Sequence, residues 1–439
     1  MTVNFRMLMS GGMAPSVAIV MILTLALAAC GEGVEAEKPV PDTFPTIPSI
    51  EHTEGNLAVA QRGVALDRYD LQVIQGIPEL SAEQLNGLFG VLVLNVPFQD
   101  WPALCTPVSD ATQASPANQV EMRLAEIRAA GVNIEKVAVN VDIMTPARSA
   151  LHHVCFTEGA GDARFDVPEY RARLIDSFTA LARNEAITHI TVGLEMNRYY
   201  HLTLDEKRRT DDYSNWVITY RDIYAAIKEV NANILVGPGL SWSFFRGRTM
   251  PEMAEEYGFD AIQGIESGYL AYTRTVEPLL VNGRAPNQVR TADFLGLSFM
   301  PIVNDEPYNG DPSPEEDSEL NTLLEWHHLI DVLVRVSDTE TLPLVVPQMD
   351  WPEGQNKRPK KAKYLATLKR ALSGFNLEWA SWRRFSDLPD PAEASPCDRF
   401  TETSVPQLKH PRDYCGSGMV DQYGVVDEVD SVFTTLTTE

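Results

Sequence analysis

The chain has 439 residues, 44% of them apolar, with a formal net charge of −25. An ordinary apolar share over this length supports a large core. The acidity excludes nucleic acid as a partner, because phosphate backbones need Lys and Arg to neutralise them, and it equally excludes adsorption on anionic lipid.

Residues 1–29 carry one charge, Arg6, and an apolar run from 17 to 26 broken only by Thr24. That run is shorter than the roughly 20 residues a spanning helix needs, and small residues before a cut mark a secretory signal peptide. Leu27-Ala28-Ala29-Cys30, followed by Gly31, resembles a bacterial lipobox. The resemblance implies a lipoprotein: cleavage before Cys30, palmitate-type acylation of its thiol, and a membrane reached through the lipid anchor alone. Loss of Arg6 with the signal takes the net charge from −25 to −26. The expected location is the cell envelope, on the periplasmic or cell-surface side; Gly31 in place of Asp favours an outer surface. Residues 30–50 are acidic and Pro-rich and too poor in large apolar groups to fold, so they read as a tether. The folded body is then 51–439.

Within the body, strand-like runs alternate with amphipathic helices. Strands are expected to start near 71, 91, 135, 188, 233, 294, 343 and 376. Ser115 can cap a helix with Pro116 in its first turn and Gly131 at its exit, and Val120, Leu124 and Ile127 share one face of it. Further helices are expected over 168–184, 212–229, 318–335 and 360–373. Eight alternating units imply parallel pairing and a single-domain α/β fold, the closed (β/α)8 TIM barrel; an open doubly wound sheet is the alternative, disfavoured because no Gly-rich phosphate loop follows any strand. Residues 249–292 read as an elaborated connection between the fifth and sixth strands, with 261–264 as a possible extra strand.

Four cysteines remain in the body: Cys105, Cys155, Cys397 and Cys415. An even set in an oxidising compartment suggests two disulfides with three possible pairings. Cys105 and Cys155 follow adjacent strands on one barrel face and Cys397 and Cys415 follow the last, which favours Cys105–Cys155 and Cys397–Cys415. No two cysteines have zinc-site spacing, the adjacent histidine pairs point apart on a helix, and neither metal nor cofactor is expected.

Barrel active sites sit at the C-terminal ends of strands. The fourth strand ends Gly193-Leu194-Glu195-Met196-Asn197, the sixth Ser298-Phe299-Met300-Pro301, the seventh Gln348-Met349-Asp350-Trp351-Pro352, and the eighth at Trp382. In this order these ends resemble the clan A (β/α)8 glycoside hydrolases, in particular endo-galactanase-like members, over roughly 71–428. The resemblance implies a carbohydrate partner, with Glu195 as general acid/base. It places Gln348 at the nucleophile position, Leu194 where an Asn contacts sugar, and Met300 where a Tyr stands. A retaining mechanism needs two carboxyl groups roughly 5 Å apart, and an amide cannot form the glycosyl ester. The expectation is therefore a pseudoenzyme-type barrel that binds or processes carbohydrate, with retaining hydrolysis doubtful. Two alternatives stand beside it: an active glycosidase pairing Glu195 with a displaced carboxylate such as Asp350, and a non-catalytic envelope scaffold. Asn197, Tyr199, Trp242, Trp351 and Trp382 are the candidate sugar contacts, each with packing as its plain alternative.

Overall fold

A computed structural model describes residues 57–66, 70–71, 81–97, 116–144, 151, 163–204, 210–242, 275–283, 288–299, 330–336 except 332, 340–350, and 365–383 except 367, 370 and 373. Cys30, Cys105, Cys155, Cys397, Cys415, Met300 and Trp351, together with residues 261–264, lie outside the described residues.

Eight parallel strands close into a barrel. In chain order they are β1 (Arg62–Ala65), β2 (Val91–Pro97), β3 (Lys136–Asp142), β4 (Ile187–Val192) and β5 (Leu235–Ser241). A two-stranded antiparallel hairpin, β6 (Val281–Asn282) and β7 (Val289–Arg290), then interrupts the order. The barrel resumes with β8 (Leu295–Ser298), β9 (Leu344–Met349) and β10 (Leu377–Trp382), which pairs back onto β1. Because β5 pairs directly with β8, the wall closes without a strand from the intervening connection. The barrel falls within the compact unit Glu51–Glu439.

The first strand differs from expectation. It is Arg62–Ala65, and Leu71, proposed as the start of a strand over 71–75, is helical. Four residues containing Gly63 and Ala65 carry little strand signal, yet small size is what the position demands. A Cβ on Gly63 would stand 2.9 Å from the Ser381 Cβ and 3.1 Å from the Ala380 carbonyl oxygen. The fifth strand also runs later than expected, to Ser241, because Gly237, Pro238 and Gly239 lie inside it.

The helices follow local rules. In α1 (Ala82–Leu88), the Ser81 hydroxyl accepts from the Gln84 backbone N–H at 3.2 Å while Gln84 Oε1 accepts from the Ser81 N–H at 2.7 Å, a reciprocal cap. α2 (Pro116–Ala129) begins on Pro116, buries Val120, Leu124 and Ile127, and is followed by Gly131 at φ +90°. α3 (Pro168–Ala182) and α5 (Thr210–Val230) pack outside the barrel, and α4 (Asn197–Leu204) follows β4 directly. The described parts of 330–334 and 365–372 are helical as well.

Strand alternation divides the core in two. Ala65, Val91, Val93, Ala138, Phe294, Val345 and Trp379 fill the lower interior of the barrel, and the larger cluster lies between wall and helices. Below that plug sits an ionic group. Glu378 Oε1 is 3.3 Å from Lys136 Nζ and 3.5 Å from His189 Nε2. The His189 contact foremost, then the Lys136 charge, hold the Glu378 carboxyl down at about 2 against the opposing effect of burial.

Candidate functional site

The upper interior, at the C-terminal ends of the strands, has different chemistry from the lower. Alternating inward positions above the apolar plug are Asn95 on β2, Asn140 on β3, Thr191 on β4, Ser241 on β5 and Ser298 on β8. Asn140 Nδ2 donates to Asn95 Oδ1 at 2.9 Å and across the barrel to the Pro347 carbonyl oxygen at 3.0 Å. A buried layer of neutral hydroxyl and amide groups thus lies directly over a hydrocarbon floor.

Gln348 reaches this layer through a bulge. Ala380 pairs with Val346 but Trp382 with Met349, so two steps along β10 span three along β9. Pro347, which has no N–H to give to a ladder, sits in the extra step. Val345 belongs to the interior cluster, whereas Val346 and Met349 belong to the surrounding one. Gln348 and Asp350 therefore flank Met349 on the interior side. Phe299 on the neighbouring segment donates its N–H to the Gln348 carbonyl at 3.0 Å and accepts from the Asp350 N–H at 3.2 Å. Gln348 is buried and its Nε2 has no hydrogen-bond partner. Asp350 is fully buried, with Oδ2 3.4 Å from Arg383 Nη1.

Glu195 sits in the turn from β4 to α4 with φ at +56°, among the described residues the one non-glycine with a left-handed backbone. Such conformations cost of order 1–3 kcal/mol and persist where surrounding contacts impose them. Here the contacts are identifiable. The Met196 N–H donates to the Gly239 carbonyl at 3.0 Å, fixing the turn to β5. Arg198 Nη2 donates to Glu195 Oε1 at 3.0 Å, and both side chains are buried. Arg198 was not singled out in the sequence; its position three residues after Glu195, at the start of a helix, was the available signal.

Other candidate sugar contacts are committed to the fold. Asn197 is a two-pronged clamp: its Nδ2 donates to the Ser241 carbonyl at 2.8 Å and its Oδ1 accepts from the Ser241 N–H at 2.6 Å. The Tyr199 hydroxyl donates to Asp212, which also accepts from the backbone N–H groups of Phe165 and Asp166. Trp242 and Trp382 are buried in the larger apolar cluster, Trp242 tilted against Phe299 with ring centroids 5.5 Å apart. Alternation from the inward Ser381 turns the Trp382 indole outward, beside its register partner Val64, whereas Trp242 lies one residue past the end of β5.

Compared with solved structures, the chain is similar to a GH5_18 protein from Streptomyces cattleya in complex with Manb1-4GlcNAc, at 13% identity and TM-score 0.51, covering 84% of this chain and 75% of that one. It is similar to an exo-beta-1,4-mannosidase from Opitutaceae bacterium strain TAV5 at 13% identity and TM-score 0.54, covering 90% of this chain but 62% of the other. A GH5_18 protein from Bifidobacterium longum subsp. longum, also with Manb1-4GlcNAc, gives 12% identity and TM-score 0.52, covering 86% and 78%. The chain has the (β/α)8 fold of these glycoside hydrolases. No protein-family model matches it, and no curated protein matches it in sequence. At such identities the likeness establishes the fold alone, and the chemistry has to be argued from the residues present.

Glu195 follows β4 and Asp350 follows β9, each a buried carboxylate beside a guanidinium, and the neutral amide Gln348 stands two residues before Asp350. Among the described residues no group of three or more His, Cys, Asp or Glu is placed to hold a metal ion. The residues missed from sequence are Asn140, Thr191 and Ser241. Their signal was small polar residues at every second position near the ends of otherwise apolar strands.

Proposed function

We propose that this protein is a lipid-anchored envelope protein whose glycosidase-type barrel engages carbohydrate at the C-terminal mouth without retaining hydrolysis. The observation that carries this reading is Gln348. The bulge at Pro347 turns it into the barrel interior, where a nucleophile would stand, yet an amide cannot attack the anomeric carbon and leave as a carboxylate. The polar layer formed by Asn140, Thr191, Ser241 and Ser298 supports a hydroxyl-rich ligand. Attachment through Cys30 and the 30–50 tether follows from the lipobox resemblance. An inverting glycosidase built on Glu195 and Asp350 is the second reading, supported by two buried carboxylates just past the C-terminal ends of β4 and β9.

The test is a glycan panel assayed for both hydrolysis and binding with wild type, Glu195→Gln, Gln348→Glu and Asp350→Asn. Binding without hydrolysis in the wild type, and hydrolysis that arises in Gln348→Glu, is the expected outcome. Wild-type hydrolysis lost in both Glu195→Gln and Asp350→Asn establishes the inverting reading instead. No binding and no hydrolysis in any form refutes both and leaves the scaffold role. For the anchor, labelled palmitate is expected in the wild type and not in Cys30→Ser; equal labelling refutes acylation at that residue.

A further inference from the structure

We propose that Asn282-Gly283, in the connection between β5 and β8, is a self-modification site at which the Asn282 side-chain amide becomes a carboxylate, with Arg221 of α5 promoting the step and then pairing with its product.

The backbone brings the reacting groups together. The Thr291 N–H donates to the Leu280 carbonyl at 2.8 Å, and in the antiparallel pair Val281 faces Arg290 and Asn282 faces Val289. Bonded and non-bonded pairs alternate along such a ladder, so Asn282 and Val289 form a bonded pair, and Val281 and Gly283 turn their backbone groups away from β7. The Gly283 N–H and the Val281 carbonyl therefore leave from the same outer edge of the hairpin. Arg221 lies along that edge. Its Nη2 donates to the Val281 carbonyl at 3.0 Å and to the Pro278 carbonyl at 2.6 Å, and its Nε donates to the same Pro278 oxygen at 3.0 Å. Its Nη1 donates to Asn282 Oδ1 at 2.9 Å, which draws the amide to the edge where the next nitrogen stands. Gly283, at φ +90°, has no side chain to shield that nitrogen, and both residues are exposed to water.

The step is an intramolecular acyl transfer. The Gly283 nitrogen gives its proton to hydroxide and attacks Asn282 Cγ. An N–Cγ bond forms, and negative charge develops on Oδ1, where the Arg221 Nη1–H already donates. The Cγ–Nδ2 bond then breaks, and Nδ2 takes a proton from water and leaves as ammonia. Water opens the cyclic imide, so the sum is amide plus water giving carboxylic acid plus ammonia. Opening at Cγ restores the backbone and sets a carboxylate against Arg221. Opening at the other carbonyl would route the backbone through Cγ and break the β6–β7 register. Arg221 favours the first product because it lacks an anion. Burial holds its guanidinium below the usual range, and its hydrogen bonds go to neutral oxygens alone.

The second Asn-Gly pair among the described residues, Asn86-Gly87, provides an internal control. Asn86 Nδ2 donates to the Gly131 carbonyl at 3.2 Å and Oδ1 accepts from the Asn133 N–H at 2.8 Å. Both ends of that amide are tied away from Gly87, whose own N–H runs along the axis of α1.

The experiment is peptide mapping by mass spectrometry of the protein incubated at neutral and at mildly alkaline pH, folded and in urea, beside Arg221→Gln. Conversion at Asn282 should rise with pH, proceed at least as fast in the folded protein as in urea, and slow several-fold in Arg221→Gln. Asn86 should convert in urea alone. The product should be chiefly the ordinary aspartyl form, and Asn282→Asp should raise the melting temperature by about 1–3 °C, a gain lost when Arg221→Gln is added. Conversion slower in the folded protein than in urea, or none at Asn282, overturns the site. Equal rates in the folded, urea-treated and Arg221→Gln proteins reduce it to ordinary Asn-Gly lability and overturn the part given to Arg221. A chiefly rerouted backbone, or no gain in Asn282→Asp, overturns the pairing.

Discussion

Asn197→Ala tests how the turn carrying Glu195 is held. Asn197 spans from the start of α4 to Ser241, the last residue of β5, through two hydrogen bonds of 2.8 and 2.6 Å, with both residues buried. Alanine removes both partners at once and leaves the N–H and carbonyl of Ser241 facing each other's absence in a site closed to water. An unsatisfied buried polar group costs about 1–3 kcal/mol, so the loss should be about 2–5 kcal/mol. Asn197→Asp should be no better, since it keeps the acceptor for the Ser241 N–H but sets a carboxylate oxygen against the Ser241 carbonyl. The assay is urea denaturation of the protein, paired with amide exchange at Ser241 and Met196, whose N–H groups report on the two sides of the clamp. Faster exchange at both, together with the stability loss, is expected. A loss below about 0.5 kcal/mol with unchanged exchange would refute the clamp.

At the opposite end of the barrel, Glu378→Gln probes the ionic group. Glu378 is held at about 2, first by the His189 contact and then by Lys136. A depressed carboxyl contributes stability that is complete above its unfolded value and lost as pH falls through its folded one. Between about pH 5 and pH 2 the wild type should therefore lose about 1–2 kcal/mol relative to Glu378→Gln. That figure is discounted because Glu378 and Lys136 are 29% and 42% exposed and the His189 contact is 3.5 Å long. Parallel acid-dependence curves for the two proteins would remove the ion group from the account. Gly239→Ala should cost about 3 kcal/mol by thermal denaturation, because the new Cβ would stand 2.2 Å from the Gly193 carbonyl oxygen and 2.9 Å from Thr191 Cγ2. Gly87→Ala, where a Cβ in helix α1 meets nothing within 4 Å, should instead stabilise by roughly 0.5–1 kcal/mol.

Much of the architecture was legible before any coordinates. Helix α2 could be bounded by Pro116 and Gly131 because caps act locally, within one turn of chain. Strands β3, β4, β9 and β10 were visible because a barrel strand buried on both faces reads as a near-continuous apolar run. The first strand was missed for the same reason in reverse: Gly63 is small because Ser381, more than three hundred positions away, crowds it.

The residues of the mouth divide along that line. Glu195 and Gln348 could be picked out from sequence because they end strands, and strand ends are a local property. The likeness of Leu27-Ala28-Ala29-Cys30 to a lipobox is read by residue type and order in the same way, and so is the amide at position 348. What only the tertiary structure decided is direction. The register slip between β9 and β10 turns Gln348 inward, and the pairing of Trp382 with Val64 turns that indole outward. Asn197 is drawn onto the Ser241 backbone, and Ser241 and Ser298 become neighbours because β5 pairs with β8 across a long connection. Pairing partners and bulges are set by which strands meet when the barrel closes, and that information is spread over the whole chain rather than held in any one segment of it.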